Sequence, residues 1–231
     1  MKAMLASDFA QVKRFVLQTA AICACVIVIM IVSCDSLMMG VSMGAAAIAV
    51  MLPCLMTYSV LSYDEVAGWA RLRETLPLSK RDIVFGRYAG VLVASLASLA
   101  FSVAVALAAY AVIPATGLGG SAFDAQAMVG VSLPAMAGLA GVGGMSIALV
   151  MLSVILPIAM RFGVTRSVRI LPLVFVFGFC AFAGFMQSKF TLDLLMGMTP
   201  VVAGLSLAVG ALALFIASAL VALRLYGARE F

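Results

Sequence analysis

Residues 88–113 carry no charged side chain, and neither do residues 128–158 or 197–223. Runs of this length leave few options. A helix needs about 20 residues to cross roughly 30 Å of hydrocarbon, and only helices and closed barrels satisfy their backbones there. These runs are continuously apolar and do not alternate, which argues against a barrel. Composition points the same way. Of 231 residues, 66% are hydrophobic and 10% charged, whereas a soluble domain carries about a quarter charged. One water-surrounded core could not hide this much apolar surface.

Six apolar segments can be drawn, at 15–34, 40–62, 88–113, 128–158, 170–187 and 197–223. The expected fold is all-α, a polytopic membrane protein with six transmembrane helices forming one domain over residues 1–231. The fourth segment is long, with Pro134 near its start and Pro157 near its end, so a tilt or a break is expected there. Ahead of the first segment, Leu5, Phe9, Val12 and Val16 share one helical face, while Asp8, Lys13 and Arg14 lie off it. That pattern predicts an interfacial helix over residues 1–14. No small-residue cleavage site follows the first segment, so an uncleaved span is expected rather than a signal peptide.

The charges assign an orientation. Lys2, Lys13 and Arg14 precede the first segment, and Arg71, Arg73, Lys80, Arg81 and Arg87 follow the second. Arg161, Arg166 and Arg169 follow the fourth, and Arg224 and Arg229 close the chain. With six spans, all of the fourteen basic residues except Lys189 fall on one side. By the positive-inside rule both termini are cytoplasmic. The net charge of +5 is thus a topology signal, and no nucleic-acid partner is expected.

Several chemistries are disfavoured. The chain has no histidine, which removes His-ligated metals and His general bases. Cys23, Cys25, Cys34, Cys54 and Cys180 lack metal or redox spacing and are expected to be small apolar fillers. No charged residue lies within the six segments, which disfavours an ion-coupled carrier. The polar groups at depth are Gln18, Thr19, Thr57, Ser59, Ser95, Ser98, Ser146 and Ser153. Gly40/Gly44, Gly86/Gly90, Ala137/Gly141 and Ala140/Gly144 have the spacing that lets helices approach closely. No phosphate-binding loop is present. Energy for uphill transport would therefore have to arrive from a partner, through a cytoplasmic surface.

The largest such surface is residues 63–87. Val66, Trp69, Leu72 and Leu76 fall within an arc of about 120° on a helical wheel, with Asp64, Arg71 and Glu74 opposite. Pro77 stops that helix. Ser79-Lys80-Arg81-Asp82 has the form of a capping box that starts a second one. The result is an elbow of helix, corner and helix. Glu65 falls inside the apolar arc and is expected to pair with Arg81 or Arg87 and pin the elbow, since a lone carboxylate there is costly. The physics alone leaves two uses for this loop: docking into a protein, or resting on anionic lipid.

The stretch Tyr63-Asp64-Glu65, Trp69, and then Leu76-Pro77-Leu78-Ser79-Lys80-Arg81-Asp82-Ile83-Val84-Phe85-Gly86-Arg87-Tyr88 resembles the first cytoplasmic loop of ABC-2-type transporter permeases, in their small six-span bacterial branch. Pro157 through Arg169, with Arg161, Phe162, Gly163, Arg166 and Arg169, is similar to that branch's second loop, and the Arg224–Phe231 tail to its ending. Arg87 stands where lysine is usual and Leu78 is a conservative departure. The resemblance implies a non-enzymatic membrane subunit of an ATP-binding cassette exporter in the bacterial cytoplasmic membrane. It implies a second permease chain and two separate ATPase subunits, which would hold ATP and Mg; this chain would bind no cofactor. It also implies that the elbow is a coupling helix, with Trp69, Leu72, Leu76, Pro77, Leu78, Ser79, Lys80 and Arg81 docking the ATPase. The few polar groups at depth fit a peptide, lipid or hydrophobic drug as substrate. The competing reading is a non-transporting anchor or assembly protein whose basic loop binds lipid or a regulator.

Overall fold

The computed structural model describes residues 37–66, 80–112, 133–162 and 199–227, together with residues 21–23, 25–26 and 29. The described residues are helical apart from Thr199. Four long helices dominate: α1 (Leu37–Val66), α2 (Lys80–Val112), α3 (Leu133–Phe162) and α4 (Pro200–Gly227). Each contains a stretch long and apolar enough to cross a membrane: Gly40–Asp64, Arg81–Val112, Ala135–Met160 and Val201–Leu225. They correspond to the second, third, fourth and sixth apolar segments. Most of the first segment, all of the fifth and the interfacial helix over 1–14 lie outside the described residues.

Local chemistry sets the helix limits. α4 opens with proline at its first position, where the missing N–H costs nothing. Thr199 precedes it, and its carbonyl accepts the first helical bond from the Ala203 amide at 3.0 Å. α2 starts at Lys80, directly after the serine expected to cap it. Asp82 sits in its first turn, where the helix dipole favours a carboxylate. α2 therefore extends well beyond its apolar run into the charged loop. α3 is continuous through Pro157, so the expected break does not occur, and α1 likewise runs through Pro53.

α3 is the hub, packing against α1, α2 and α4. Its small residues make this possible. A Cβ on Gly144 would lie 2.4 Å from the Ala46 carbonyl oxygen of α1, and one on Gly141 would meet Leu99 of α2 at 3.0 Å. Two of the expected small-residue pairs thus work within the chain, seating α3 between α1 and α2. The main core joins Val84, Tyr88 and Val91 of α2, Leu149, Leu152 and Leu156 of α3, and Ala211, Phe215 and Ala219 of α4. The Tyr88 and Phe215 rings lie 4.9 Å apart at 53°. Cys23, from the first apolar segment, packs with Ile48 and Leu52 of α1. Much of α4 faces outward, with Leu205, Val209, Ile216 and Leu220 each more than half exposed.

The helix directions are fixed by contacts at both ends. Asp64 meets Arg87 and Leu61 packs on Ala159 at one end. At the other, Val41, Ala45, Ala106 and Ala137 cluster, and the Ser42 and Tyr110 hydroxyls lie 3.1 Å apart. α1 and α3 thus run in one direction and α2 in the other. α4 runs parallel to α3. A Cβ on Gly204 would sit 2.9 Å from Leu139, and Ser218 reaches Ser153. The two contacts share one sequence offset and lie about 21 Å apart along the helices at 1.5 Å per residue.

The close approach at Gly144 predicts opposite outcomes for two adjacent glycines. Gly144→Val forces backbone apart and should lower stability by about 1–3 kcal/mol or more, as overpacking does. Gly143→Ala, whose Cβ would meet nothing within 4 Å, should leave the detergent melting temperature unchanged or slightly raised.

Candidate functional site

The end of the molecule where α1 stops and α2 begins carries the described charge. Lys80, Arg81, Arg87, Arg161 and Arg224 all occur within about two turns of a helix terminus at this end. The described residues of the opposite end, in 37–45, 100–112, 133–140 and 199–205, include no charged residue. Among the described residues, basic charge is therefore confined to one end of the helical bundle.

Within that end, Arg87 and Asp64 form a buried ion pair, their side chains 5% and 10% exposed. The Arg87 guanidinium donates to the Asp64 carboxylate. Asp64 lies in the last turn of α1, where the helix dipole opposes a negative charge, so it needs a cationic partner to remain there. Arg87 lies about two turns into α2, where its stem crosses apolar packing. The pair closes the base of the α1–α2 hairpin. Asp64 ends one stretch long and apolar enough to cross a membrane and Arg87 lies within the next, both just outside the charge-free segments 40–62 and 88–113.

The neighbouring residue forms a second contact. The Tyr88 hydroxyl lies 2.9 Å from Ser218 Oγ of α4, and Ser218 donates to the Ser153 carbonyl of α3. A hydroxyl has one proton to give, so Tyr88 must be the donor to Ser218. The other buried hydroxyls are used within their own helices. Thr57 donates to the Pro53 carbonyl at 2.7 Å, Ser95 to Val91 at 2.8 Å, Ser98 to Ser95 at 2.8 Å and Ser146 to Val142 at 2.8 Å. These bonds satisfy the hydroxyls without lining a polar path.

Of the expected elbow residues, Arg81 is exposed in the first turn of α2 and Lys80 is its first residue. Glu65 belongs to the last turn of α1, with its side chain outside the described residues. Trp69, Leu72, Leu76, Pro77, Leu78 and Ser79 also lie outside them. Arg161 and Phe162 are the last two residues of α3, while Gly163, Arg166 and Arg169 lie beyond. The helical wheel sets Asp64 opposite the apolar arc of Val66, Trp69, Leu72 and Leu76. The structure instead continues α1 through Val66, which turns Asp64 inward. Tyr88 and Ser218 gave no sequence signal, because 130 residues separate them.

The family profile described as ABC-2 family transporter protein matches residues 3–227, nearly the whole chain. The chain belongs to the ABC-2 transporter family. No curated protein and no solved structure matches it. This ABC-2 transporter protein is thus a multi-pass membrane protein of a transport family, with its basic end built on the α1–α2 hairpin.

The buried pair makes a specific stability prediction. Arg87→Met strands the Asp64 charge and should cost about 3–5 kcal/mol, whereas removing both charges with Asp64→Leu and Arg87→Met should cost much less. Thermal unfolding of the purified chain in detergent checks the order. A double variant as unstable as Arg87→Met would contradict it.

Proposed function

We propose that this chain is the membrane-spanning permease subunit of an ATP-binding cassette exporter, with residues 63–87 as the elbow through which a separate ATPase drives it. The single observation that carries the reading is the family match over residues 3–227. The geometry supports it in two further ways. The elbow's two limbs are the ends of membrane helices α1 and α2, closed at their base by the Asp64–Arg87 pair. A push on such a closed hairpin is delivered into both helices together. The basic residues also gather at that same end, and the positive-inside rule makes it cytoplasmic, where ATP is available.

The parallel run of α3 and α4 supports six crossings. The chain leaves α3 at the elbow end and enters α4 at the opposite end, so residues 163–198 have to return across the bilayer. The apolar segment 170–187 is long enough to do so. With α1 starting at the far end, a first span over 15–34 completes the set and brings both termini to the cytoplasm of a bacterial cell.

In this reading Trp69, Leu72, Leu76, Pro77, Leu78, Ser79, Lys80 and Arg81 contact the ATPase. Arg87 stabilises the elbow through Asp64, with Glu65 close by. Arg161, Phe162, Gly163, Arg166 and Arg169 form the second cytoplasmic segment. A second permease chain completes the substrate path, two ATPase subunits hold ATP and Mg, and the surrounding lipid covers the outer apolar faces. The buried serine and threonine hydroxyls described above, such as Thr57, Ser95, Ser98 and Ser146, are bonded to backbone, which favours an amphiphilic or hydrophobic substrate over a sugar.

Two experiments test this reading. An ATPase subunit should co-purify with the chain and be lost on Leu76→Asp or Arg81→Glu; full retention in both variants would defeat the docking assignment. In a cysteine-free background, Ser121→Cys should react with an impermeant maleimide on intact cells, and Ser167→Cys only after the membrane is opened. The reverse pattern would invert the topology.

A further inference from the structure

Pro157 lies five residues before the end of α3 and has no N–H. The Ser153 carbonyl, four residues earlier, therefore lacks its usual helical donor. In a membrane such a freed carbonyl needs another donor. Ser218 of α4 supplies one, and Ser218 in turn accepts from Tyr88 of α2. The chain Tyr88 O–H, Ser218 O–H, Ser153 C=O thus joins three helices at one level. That level lies about 12–14 Å from the elbow-end termini of all three, at 1.5 Å per residue. Tyr88 directly follows Arg87, which is tied to α1. Two consecutive residues therefore tie the base of α2 to every other described long helix.

We propose that Tyr88, Ser218 and the carbonyl released by Pro157 form a mechanical relay that links the base of α2 to the proline-weakened turn of α3, making Tyr88 and Ser218 positioning residues for coupling. The proposal rests on the reading of residues 63–87 as the ATPase-driven elbow. α3 is missing the helical bond between positions 157 and 153, so that turn, which leads into the end carrying Arg161, is the compliant part of an otherwise regular helix. The Ser218 bond ties the start of that turn, at the Ser153 carbonyl, to α4 and, through Tyr88, to α2. A displacement of α2 at Tyr88 is then passed to α3 at Ser153, where the weakened turn that leads toward the second basic segment begins. The rings of Tyr88 and Phe215 keep the phenol aimed at Ser218 while it moves.

Pro157→Ala separates this role from simple support. It returns an N–H to position 157, which bonds the Ser153 carbonyl within α3 and competes with Ser218. Helix stability should hold or rise, while the link to α4 weakens. The chain is purified with its co-expressed ATPase in lipid nanodiscs, and MgATP hydrolysis is followed alongside thermal unfolding. Tyr88→Phe, Ser218→Ala and Pro157→Ala should each change kcat by roughly fivefold, the scale of one net hydrogen bond, with KM for ATP unchanged. The Tyr88→Phe/Pro157→Ala double variant should be no worse than the stronger single change, because both cut one relay. A wild-type kcat in Pro157→Ala, additive effects in the double variant, or effects that merely follow melting temperature would overturn the relay while leaving the elbow standing. Failure of any ATPase to co-purify with the wild-type chain would remove the elbow reading and the relay with it.

Discussion

In hydrocarbon a backbone amide or carbonyl has no water to turn to, so every one must find a partner inside the protein. That constraint organises this chain. It makes each described crossing a continuous helix, and it turns buried serines back onto carbonyls one turn away, as at Ser95 and Ser146. It also gives a proline inside a helix a consequence beyond its own position. Pro157 releases a carbonyl, and the nearest spare donor belongs to another helix. A local deficit in α3 becomes a tertiary bond to α4.

Between apolar helices surrounded by lipid, the hydrophobic effect supplies little attraction, and close packing has to serve instead. The hub position of α3 follows from this. Gly144 lets its backbone approach Ala46, and Gly141 admits Leu99. α4 packs through a narrow stripe of Ala211, Phe215, Ala219 and Ala222, leaving large aliphatic side chains outward. Such a surface would aggregate in water but suits a lipid or protein neighbour. The one buried ion pair among the described residues, Asp64–Arg87, stands where α1 and α2 meet. There the charges specify how the hairpin closes, which apolar contacts alone do not.

For an ATP-driven permease these features fit together. In the proposed elbow, force would enter through α1 and α2, which are clamped together where they meet by Asp64 and Arg87. The clamp and the hydroxyl relay sit on adjacent residues, Arg87 and Tyr88, so a force entering α2 meets both at once. The two ties differ in chemistry. The ion pair is strong and directional within the hairpin, whereas the relay is a pair of neutral bonds ending at the weak point of α3.

Much of this was legible in the residues alone. Apolar run length predicted the four described crossings, because hydrocarbon thickness sets helix length. The serine before Lys80 marked a helix start, because capping is local. The family was legible in the elbow motif, whose residues are contiguous. What the sequence could not reveal depended on pairing across distance. The apolar boundaries stopped short of Asp64 and Arg87, since a charge reads as polar until its partner is known. Pro157 read as a possible break, since its freed carbonyl has value only when Ser218 lies beside it. Composition and local chemistry therefore determined the membrane, the helices and the charged end. The tertiary structure alone decided which buried polar groups meet, because their partners lie on other helices, at sequence separations no local pattern encodes.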